Sequence, residues 1–184
     1  GSGTFNLYCS GSSEGYLSKL DSLGNFVFAK QIGVGSFMAY AFSTILDSSE
    51  NILISGAFYG TADFDPGAGV FNLTASASND AFVLKLDSLG DFLWAKNFGG
   101  GSSGTTATSI SLDTTGNVYI TGEFLGTVDF DPGVGIYNLT SMINTGYSED
   151  IFILKLDSAG TFNWVKAMGS WSEDVGNSIT IDVF

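Results

Sequence analysis

The feature that most constrains the fold of this chain is an internal repeat of 66 residues. Asp63–Gly67 (DFDPG) recurs 66 positions later as Asp129–Gly133. Tyr16–Lys30 (YLSKLDSLGNFVFAK) recurs at the same spacing as Phe82–Lys96 (FVLKLDSLGDFLWAK), and 70 residues further on as Phe152–Lys166 (FILKLDSAGTFNWVK). A repeat this strict predicts an architecture in which each period folds into one supersecondary unit that stacks on its neighbours.

Each full unit contains four short runs rich in Phe, Tyr, Ile, Val and Thr, which favour strands. Asp157-Ser158-Ala159-Gly160 has Asp first and Gly last, which predicts a type I turn joining the third and fourth runs. Four antiparallel strands per unit constitute one blade, so the sequence predicts an all-β fold of the β-propeller type. The runs of the second unit are Ser109–Asp113, Asn117–Phe124, Ile151–Asp157 and Phe162–Met168, with a short extra strand at Ile136–Thr140.

The repeat divides the chain into about 2.75 blades of one β-propeller domain. A closed propeller typically has four to eight blades. We therefore expect further repeats of the same polypeptide, or other copies of the chain, to be needed to close the ring. The predicted parts are the second half of a blade at 1–35, complete blades at 36–101 and 102–170, and the first strand of the next blade at 171–184.

The charge of the chain excludes several classes of function. There are 19 acidic residues against six basic ones, no His, and a net charge of −13. This balance argues against nucleic acid and anionic membranes as partners, and no apolar stretch approaches the length of a membrane span. The lone cysteine, Cys9, excludes an intrachain disulfide, and we expect it to be a small buried hydrophobe rather than a nucleophile.

The repeated Asp-Phe-Asp-Pro-Gly motif is a candidate calcium site. Asp63 with Asp65, and Asp129 with Asp131, place two carboxylates two positions apart in a loop, and Ca²⁺ takes such hard oxygen ligands. The alternative is architectural, because Asp caps turns and Pro-Gly forms them. Both interpretations remain open from the sequence, and Ca²⁺ is the one cofactor that the residues indicate.

The tryptophans divide into two kinds. Trp94 and Trp164, with Phe28 at the matching position, recur on the fourth strand of each unit, which predicts packing between blades. Trp171 breaks the pattern and lies in a predicted loop, so we expect it to be exposed. It is the candidate ligand-binding residue, since an exposed indole can stack on a sugar.

The units spanning Asp80–Gly100 and Ser109–Gly133 resemble the bacterial β-propeller (SBBP-type) repeats of large secreted proteins of Bacteroidetes. The resemblance covers nearly the whole chain and includes the Asp-Phe-Asp-Pro-Gly motif. It implies export, often by type IX secretion, and an extracellular or cell-surface location. Some proteins with such repeats are adhesin-like.

The same resemblance marks the hairpin tips as candidate sites of O-glycosylation. Tripeptides of the form Asp-Ser/Thr-apolar are similar to the acceptor sites of exported Bacteroidetes proteins. The alternative is a plain β-turn, because the turn alone requires Asp and Gly. The candidate acceptors are Ser22, Ser88, Thr114 and Ser158.

These observations predict a non-enzymatic repeat module that acts as a scaffold, adhesion or protein–protein interaction surface. Its partners would be a protein or a cell-surface glycan. The acidic residues recur with the repeat, so no blade carries a unique carboxylate pair of the kind that glycoside hydrolysis needs, and His and Arg are absent. The alternatives are a lectin-like, carbohydrate-binding propeller and a supporting domain of a secreted hydrolase.

Overall fold

The computed structural model describes residues 6–9, 12–76, 78–100, 104–142 and 148–182. Within these ranges the chain is all-β, and no helix is present that could cross a membrane. The strands are β1 (Gly15–Leu20), β2 (Phe26–Ile32), β3 (Met38–Leu46), β4 (Ile52–Tyr59), β5 (Thr61–Asp63), β6 (Asn72–Thr74), β7 (Asp80–Leu86), β8 (Phe92–Phe98), β9 (Thr105–Leu112), β10 (Val118–Phe124), β11 (Thr127–Asp129), β12 (Asn138–Thr140), β13 (Asp150–Leu156) and β14 (Phe162–Met168).

The strands form the predicted propeller blades. Blade 1 has the order β3-β4-β7-β8 and blade 2 the order β9-β10-β13-β14, and each is a fully antiparallel sheet. The half-blade β1-β2 precedes them, and the small hairpins β5-β6 and β11-β12 follow the second strand of each blade. The described sheets do not close into a ring.

The predicted strands of the second unit are all present, with shifted bounds. Phe162–Met168 forms β14 as predicted, whereas β9 begins at Thr105, four residues before the predicted Ser109. The earlier start follows from the ladder with β10, in which Thr105 pairs with Phe124. The Thr105 N–H also donates to the Asn79 carbonyl of blade 1 at 3.0 Å. The extra strand is shorter than predicted and covers only Asn138–Thr140.

The core lies between the blades, because successive side chains of a strand point to opposite faces. In β7 every residue is buried: Phe82, Leu84 and Leu86 face the half-blade, whereas Ala81 and Val83 face blade 2. Strands β1 and β13 instead alternate between more and less exposed residues, since only one face of each is covered. Burial therefore identifies blade 1 as the interior unit.

The blades are joined by a backbone hydrogen bond that recurs with the repeat. Ala39 donates to the Ser13 carbonyl at 3.0 Å, and Asp174 donates to the Glu149 carbonyl at 2.8 Å, as Thr105 does to Asn79. The segment 171–182 thus begins where β9 begins, one unit later. Among the described residues it nevertheless forms no strand, contrary to the prediction, because no described strand pairs with it.

Candidate functional site

The first Asp-Phe-Asp-Pro-Gly loop is closed around its own carboxylates. Asp63 Oδ1 accepts the N–H of Asp65 at 3.0 Å and that of Phe71 at 2.8 Å. Asp65 Oδ1 accepts the Gly67 N–H at 2.8 Å, as expected for an Asx turn. Phe64, between the two acids, is fully buried.

The second loop repeats this geometry. Asp129 Oδ1 accepts the N–H groups of Asp131 at 3.1 Å and Tyr137 at 2.8 Å, and Asp131 Oδ1 accepts the Gly133 N–H at 2.8 Å. A Cβ at Gly135 would clash with the Asp131 carboxylate, so a larger residue there would displace that side chain. The motif therefore has a structural role in both units.

The calcium prediction meets an incomplete ligand set. No group of three or more His, Cys, Asp or Glu side chains that could hold a metal is found among the described residues. Each loop offers two carboxylates, and one oxygen of each is already engaged by backbone N–H groups. Calcium binding by Asp63, Asp65, Asp129 and Asp131 stays a prediction, for which further oxygen ligands would have to come from water or backbone carbonyls.

The hairpin turns have the predicted geometry. In the last turn the Gly160 N–H donates to the Asp157 carbonyl at 3.0 Å, and Gly160 has a φ of 80°. Asp157 Oδ1 also accepts the N–H groups of Ala159 and Thr161, both at 2.9 Å. These hydrogen bonds lower the pKa of Asp157, that of Thr161 foremost.

The candidate glycosylation sites lie on these turns. Ser22, Thr114 and Ser158 are exposed, whereas Ser88 is half-buried and its carbonyl accepts a hydrogen bond from Lys19 Nζ at 2.9 Å. Accessibility is therefore greater at three of the four tips. Modification stays a prediction, and the intact mass of the protein from its native source would test it by discrete sugar-sized increments.

An ion pair that the sequence analysis did not identify links the two hairpins of each blade. Lys85 Nζ on β7 lies 2.9 Å from Asp47 Oδ2 in the β3–β4 turn, with both side chains about nine-tenths buried. Burial raises the pKa of Asp47, but hydrogen bonds from Lys85, Asn51 and Ser49 outweigh it and lower the pKa to about 2. The sequence does contain an indication of this ion pair, because Lys19, Lys85 and Lys155 occupy the same position of the repeat.

Blade 2 has a looser version of this pair. Lys155 Nζ lies 3.8 Å from Asp113 Oδ2 and 4.9 Å from the centre of the Tyr119 ring. Burial raises the pKa of Asp113, but hydrogen bonds from Thr115 and Asn117 hold it well below its usual range. The acidic turn residue is thus ionised in both blades at neutral pH.

The repeated aromatic residues pack between blades, as predicted for Trp94. A Cβ at Gly160 in the β13–β14 turn would lie 3.3 Å from the Trp94 ring, which places this indole of blade 1 against the turn of blade 2. Phe28 has the same relation to Gly90 at 3.0 Å. Trp164 instead contacts Tyr119 of its own blade in an edge-to-face arrangement, with ring centroids 6.1 Å apart.

Trp171 and Cys9 both lie outside the strands and are exposed. Trp171 has 69 % of its surface accessible, as its position in a loop predicts, so the indole could contact a ligand. Cys9 is exposed as well, and the expectation that it is a buried hydrophobe is wrong. It lies in a short segment outside the strands and outside both buried core clusters.

Three glutamates, Glu123 and Glu149 of blade 2 and Glu173 of the segment that follows it, lie close enough to interact electrostatically. Burial raises the pKa of Glu123, and the neighbouring charges of Glu149 and Glu173 raise it further. Burial also raises the pKa of Glu149, and the charge of Glu173 raises it further. The three residues come from different parts of the sequence, so no local pattern could have indicated the cluster.

Comparison with known proteins supports the repeat. The model of the β-propeller repeat family (SBBP) matches residues 93–123, which extend from the last strand of blade 1 into the second strand of blade 2. An uncharacterised WD repeat-containing protein, L264, of Acanthamoeba polyphaga mimivirus is 29 % identical over 160 residues, 74 % of this chain. The regulatory protein FlaEY of Caulobacter vibrioides is 27 % identical over 129 residues, 68 % of this chain.

These matches bear out the propeller-type repeat and nothing finer. The chain spans only 11 % and 13 % of the lengths of the two relatives. The family match ends before the second Asp-Phe-Asp-Pro-Gly motif, which begins at Asp129. An origin in Bacteroidetes and the link between this motif and the family stay predictions.

Proposed function

We propose that this chain is a non-enzymatic β-propeller repeat module of a secreted or cell-surface protein, and that it presents a protein-interaction surface. The observation that carries the proposal is that some exposed positions differ between the blades, around buried aromatic positions that do not. Phe64 of blade 1 and its repeat equivalent in blade 2, Phe130, are both phenylalanine and fully buried. At another repeat position both residues are exposed and they differ, with Leu93 in blade 1 and Asn163 in blade 2. A constant framework with a variable surface is typical of a scaffold that presents binding residues.

The charge of the chain favours a basic partner. A net charge of −13 attracts cationic surfaces and speeds association with them, and this attraction weakens as salt screens it. The viral relative is named for WD repeats, which form propellers. This likeness supports an interaction module but identifies no partner.

The test is site-specific photo-crosslinking on the extracellular surface of the producing cell. A benzophenone amino acid at Leu89 or Val134, both exposed, is expected to yield a discrete adduct with one protein. The adduct should decrease in about 0.5 M salt, where charge attraction is largely screened. The same label at Phe82, which is fully buried, is the control and should give none.

A protein adduct that forms only inside lysed cells would contradict the extracellular location. The location itself is tested by treating intact cells with a membrane-impermeant amine reagent, which should label the lysines. The absence of any protein adduct from both exposed positions would contradict the scaffold.

A second candidate function is carbohydrate binding, which the exposure of Trp171 favours. Aromatic rings that lie open to solvent can stack on sugars. A glycan array compared with the Trp171→Ala variant tests it: binding that the variant loses would support a lectin-like role. Failure of the chain to bind any glycan would rule this role out.

A further inference from the structure

The loop between β5 and β6 and the loop between β11 and β12 each present apolar side chains to solvent. We call residues 68–71 of blade 1 and 134–137 of blade 2 the apolar tips. Val134 is fully exposed, Ile136 is 76 % exposed, and Val70, the repeat equivalent of Ile136, is 72 % exposed. Neighbouring exposed apolar residues are typical of an interaction surface, whereas singly scattered ones are not. Here they recur at the same place in two complete blades.

The apolar tip of blade 2 is held in a fixed conformation. The Phe130 N–H donates to the Tyr137 carbonyl at 3.0 Å, and the Tyr137 N–H donates to Asp129 Oδ1 at 2.8 Å. The Tyr137 ring packs on Phe162 of β14, with ring centroids 5.0 Å apart. A loop fixed in this way has little conformational entropy to lose on binding, so its exposed side chains are preorganised for a contact.

The same contacts hold the apolar tip of blade 1. The Phe64 N–H donates to the Phe71 carbonyl at 2.9 Å, the Phe71 N–H donates to Asp63 Oδ1 at 2.8 Å, and the Phe71 ring lies 4.7 Å from that of Phe92. The aromatic residue thus fixes the tip on the blade, whereas Val70 beside it stays exposed and contributes little burial. The stability of the blade therefore does not account for an apolar residue at this position.

A carboxylate lies directly against each apolar tip. A Cβ at Gly69 would clash with the carboxylate of Asp65, and a Cβ at Gly135 would clash with that of Asp131. None of the ion pairs among the described residues includes either acid. Each tip therefore combines exposed apolar side chains with a negative charge that no lysine of the described chain neutralises.

The charge of the chain favours one kind of occupant for this surface. With a net charge of −13, the chain repels a second copy of itself and an anionic membrane, and it attracts basic groups. An apolar contact beside carboxylates is complemented by an apolar groove that carries cationic side chains at its rim.

We propose that the apolar tips are the contact surface of the module, and that they insert into an apolar groove with a basic rim on a partner protein. The inference rests on the function proposed above, since it assigns that function to one surface and gives the chemistry of the partner. Burial of Val134, Ile136 and Val70 supplies the affinity, and the charged rim speeds association and rejects acidic surfaces.

The first test uses the purified 184-residue chain and a probe of the same chemistry, a β-cyclodextrin that carries amino groups on its rim. Its cavity is apolar and its rim is cationic. Amide chemical shifts in NMR spectra should change at the apolar tips as the probe is added. A β-cyclodextrin with carboxylate groups on its rim should cause no change, and a chelator keeps Ca²⁺ from the acidic loops.

Matched variants separate the apolar tips from other exposed apolar residues. Val134→Ser combined with Ile136→Ser should weaken probe binding to blade 2 by about tenfold. Leu89→Ser and Leu23→Ser, at hairpin turns that are also exposed, should leave it unchanged. All four positions are exposed, so the variants should fold, and far-UV circular dichroism checks that they keep their sheet content.

The second test is the position of the crosslink on the producing cell. A benzophenone amino acid at Val134 should yield a protein adduct, and the same label at Leu89 should yield none. The adduct at Val134 should disappear when Ile136→Ser and Asp131→Asn are introduced together. Asparagine at 131 keeps the oxygen that accepts the Gly133 N–H, so the loop should still close.

Several outcomes would overturn the inference: no shift changes at the apolar tips, probe binding that survives the double serine variant, or an adduct from Leu89 alone. An adduct at Val134 with a second copy of the chain, or with lipid, would overturn it as well. An adduct from Leu89 alone would still support the proposed function and refute only this surface. Absence of an adduct from both positions, with the probe bound at the tips, would instead contradict the proposed function.

Discussion

At the scale of single residues, aspartate is the side chain on which the turns depend. The same arrangement occurs in the turns that begin at Asp21, Asp47, Asp87, Asp113 and Asp157, where one carboxylate oxygen accepts two backbone N–H groups. Charge-assisted bonds of this kind are stronger than neutral ones and favour the ionised acid. The turns are therefore best formed when these acids are deprotonated.

One turn departs from the pattern and offers a stabilising substitution. Glu50 has a φ of 61°, whereas the equivalent Gly116 has 81°. A left-handed conformation costs a residue with a side chain about 1–2 kcal/mol, although glycine is less constrained in the unfolded chain. We expect Glu50→Gly to raise the free energy of unfolding by about 1 kcal/mol, measured by urea denaturation.

The reciprocal change is the control for that substitution. Gly116→Ala should lower the free energy of unfolding by a similar amount, since alanine would be strained at this φ. A loss of stability in Glu50→Gly would show that the glutamate side chain contributes more than its backbone strain costs.

The Lys85–Asp47 pair should make the protein sensitive to acid. The pKa of Asp47 is about 2 in the folded chain, below the ordinary value of 3.8, so its contribution is present above pH 4 and is lost as pH falls towards 2. Lys85→Met should destabilise the protein at pH 7 by about 3 kcal/mol, because a buried carboxylate loses its cation, and should reduce the loss of stability between pH 4 and 2.

Lys30→Met provides the matched comparison, because Lys30 lies 3.5 Å from Asp91, whose side chain is 67 % exposed. An exposed pair contributes about 0–1 kcal/mol. Equal effects of the two substitutions on urea denaturation at pH 7 would contradict the structural role of the buried pair.

At the scale of elements, the two blades differ in how they hold a buried acid at the start of their third strands. Asp80 accepts hydrogen bonds from the Ser76 hydroxyl at 2.9 Å and from the Asn97 amide at 2.7 Å. In blade 2 the equivalent of Asn97 is Ala167, and no donor among the described residues reaches Asp150 Oδ1. Blade 2 therefore lacks a bond that blade 1 has.

Restoring that donor should stabilise blade 2. Ala167→Asn places an amide opposite Asp150, as Asn97 is opposite Asp80, and should raise the free energy of unfolding by about 1 kcal/mol. The reverse variant, Asn97→Ala, should lower it by about 1–3 kcal/mol, because a buried acceptor loses its donor. Differential scanning calorimetry of the two variants measures these changes. An Ala167→Asn variant that melts no higher than the parent would refute the idea that Asp150 lacks a hydrogen-bond donor.

The glutamate cluster of blade 2 should destabilise the protein at neutral pH. The folded pKa of Glu123 is raised, so its favourable contribution is present at low pH and is lost as pH rises through the folded value. We expect Glu123→Gln to raise the melting temperature at pH 7 and to reduce its dependence on pH between 4 and 7. Asp91→Asn removes an exposed charge and is the control for net charge; an equal effect of both would rule the cluster out.

At the scale of the whole molecule, the negative net charge and the repeated acidic loops make the effect of Ca²⁺ on stability worth measuring. If the Asp-Phe-Asp-Pro-Gly loops bind Ca²⁺, the melting temperature should be higher with Ca²⁺ than with a chelator, by several degrees at saturating concentration. Asp65→Asn combined with Asp131→Asn should abolish that difference. Asparagine keeps the oxygen that accepts the turn hydrogen bond, so the loops should still close.

One outcome would contradict calcium binding by these loops. A stabilisation by Ca²⁺ that survives the double substitution would exclude these loops as its source. Thermal melts by circular dichroism give the measurement, and Mg²⁺ at the same concentration controls for general screening of the acidic surface.

The fold was predictable from the sequence, because its determinants are local and repeat. Alternating apolar residues specify strands, and an Asp–Gly turn specifies the hairpin that joins them. The spacing of 66 residues then orders the hairpins into blades. The predicted strand after Trp171 and the predicted burial of Cys9 were wrong, because both depend on which neighbour covers a segment.

The site contacts were decided only by the tertiary structure. Lys85 meets Asp47 across the blade, Trp94 lies over Gly160 of the next blade, and Glu123 lies near Glu149 and Glu173. Periodicity determines which strands form and which of their faces are apolar, but contacts between distant residues depend on how whole blades stack, which no local pattern encodes.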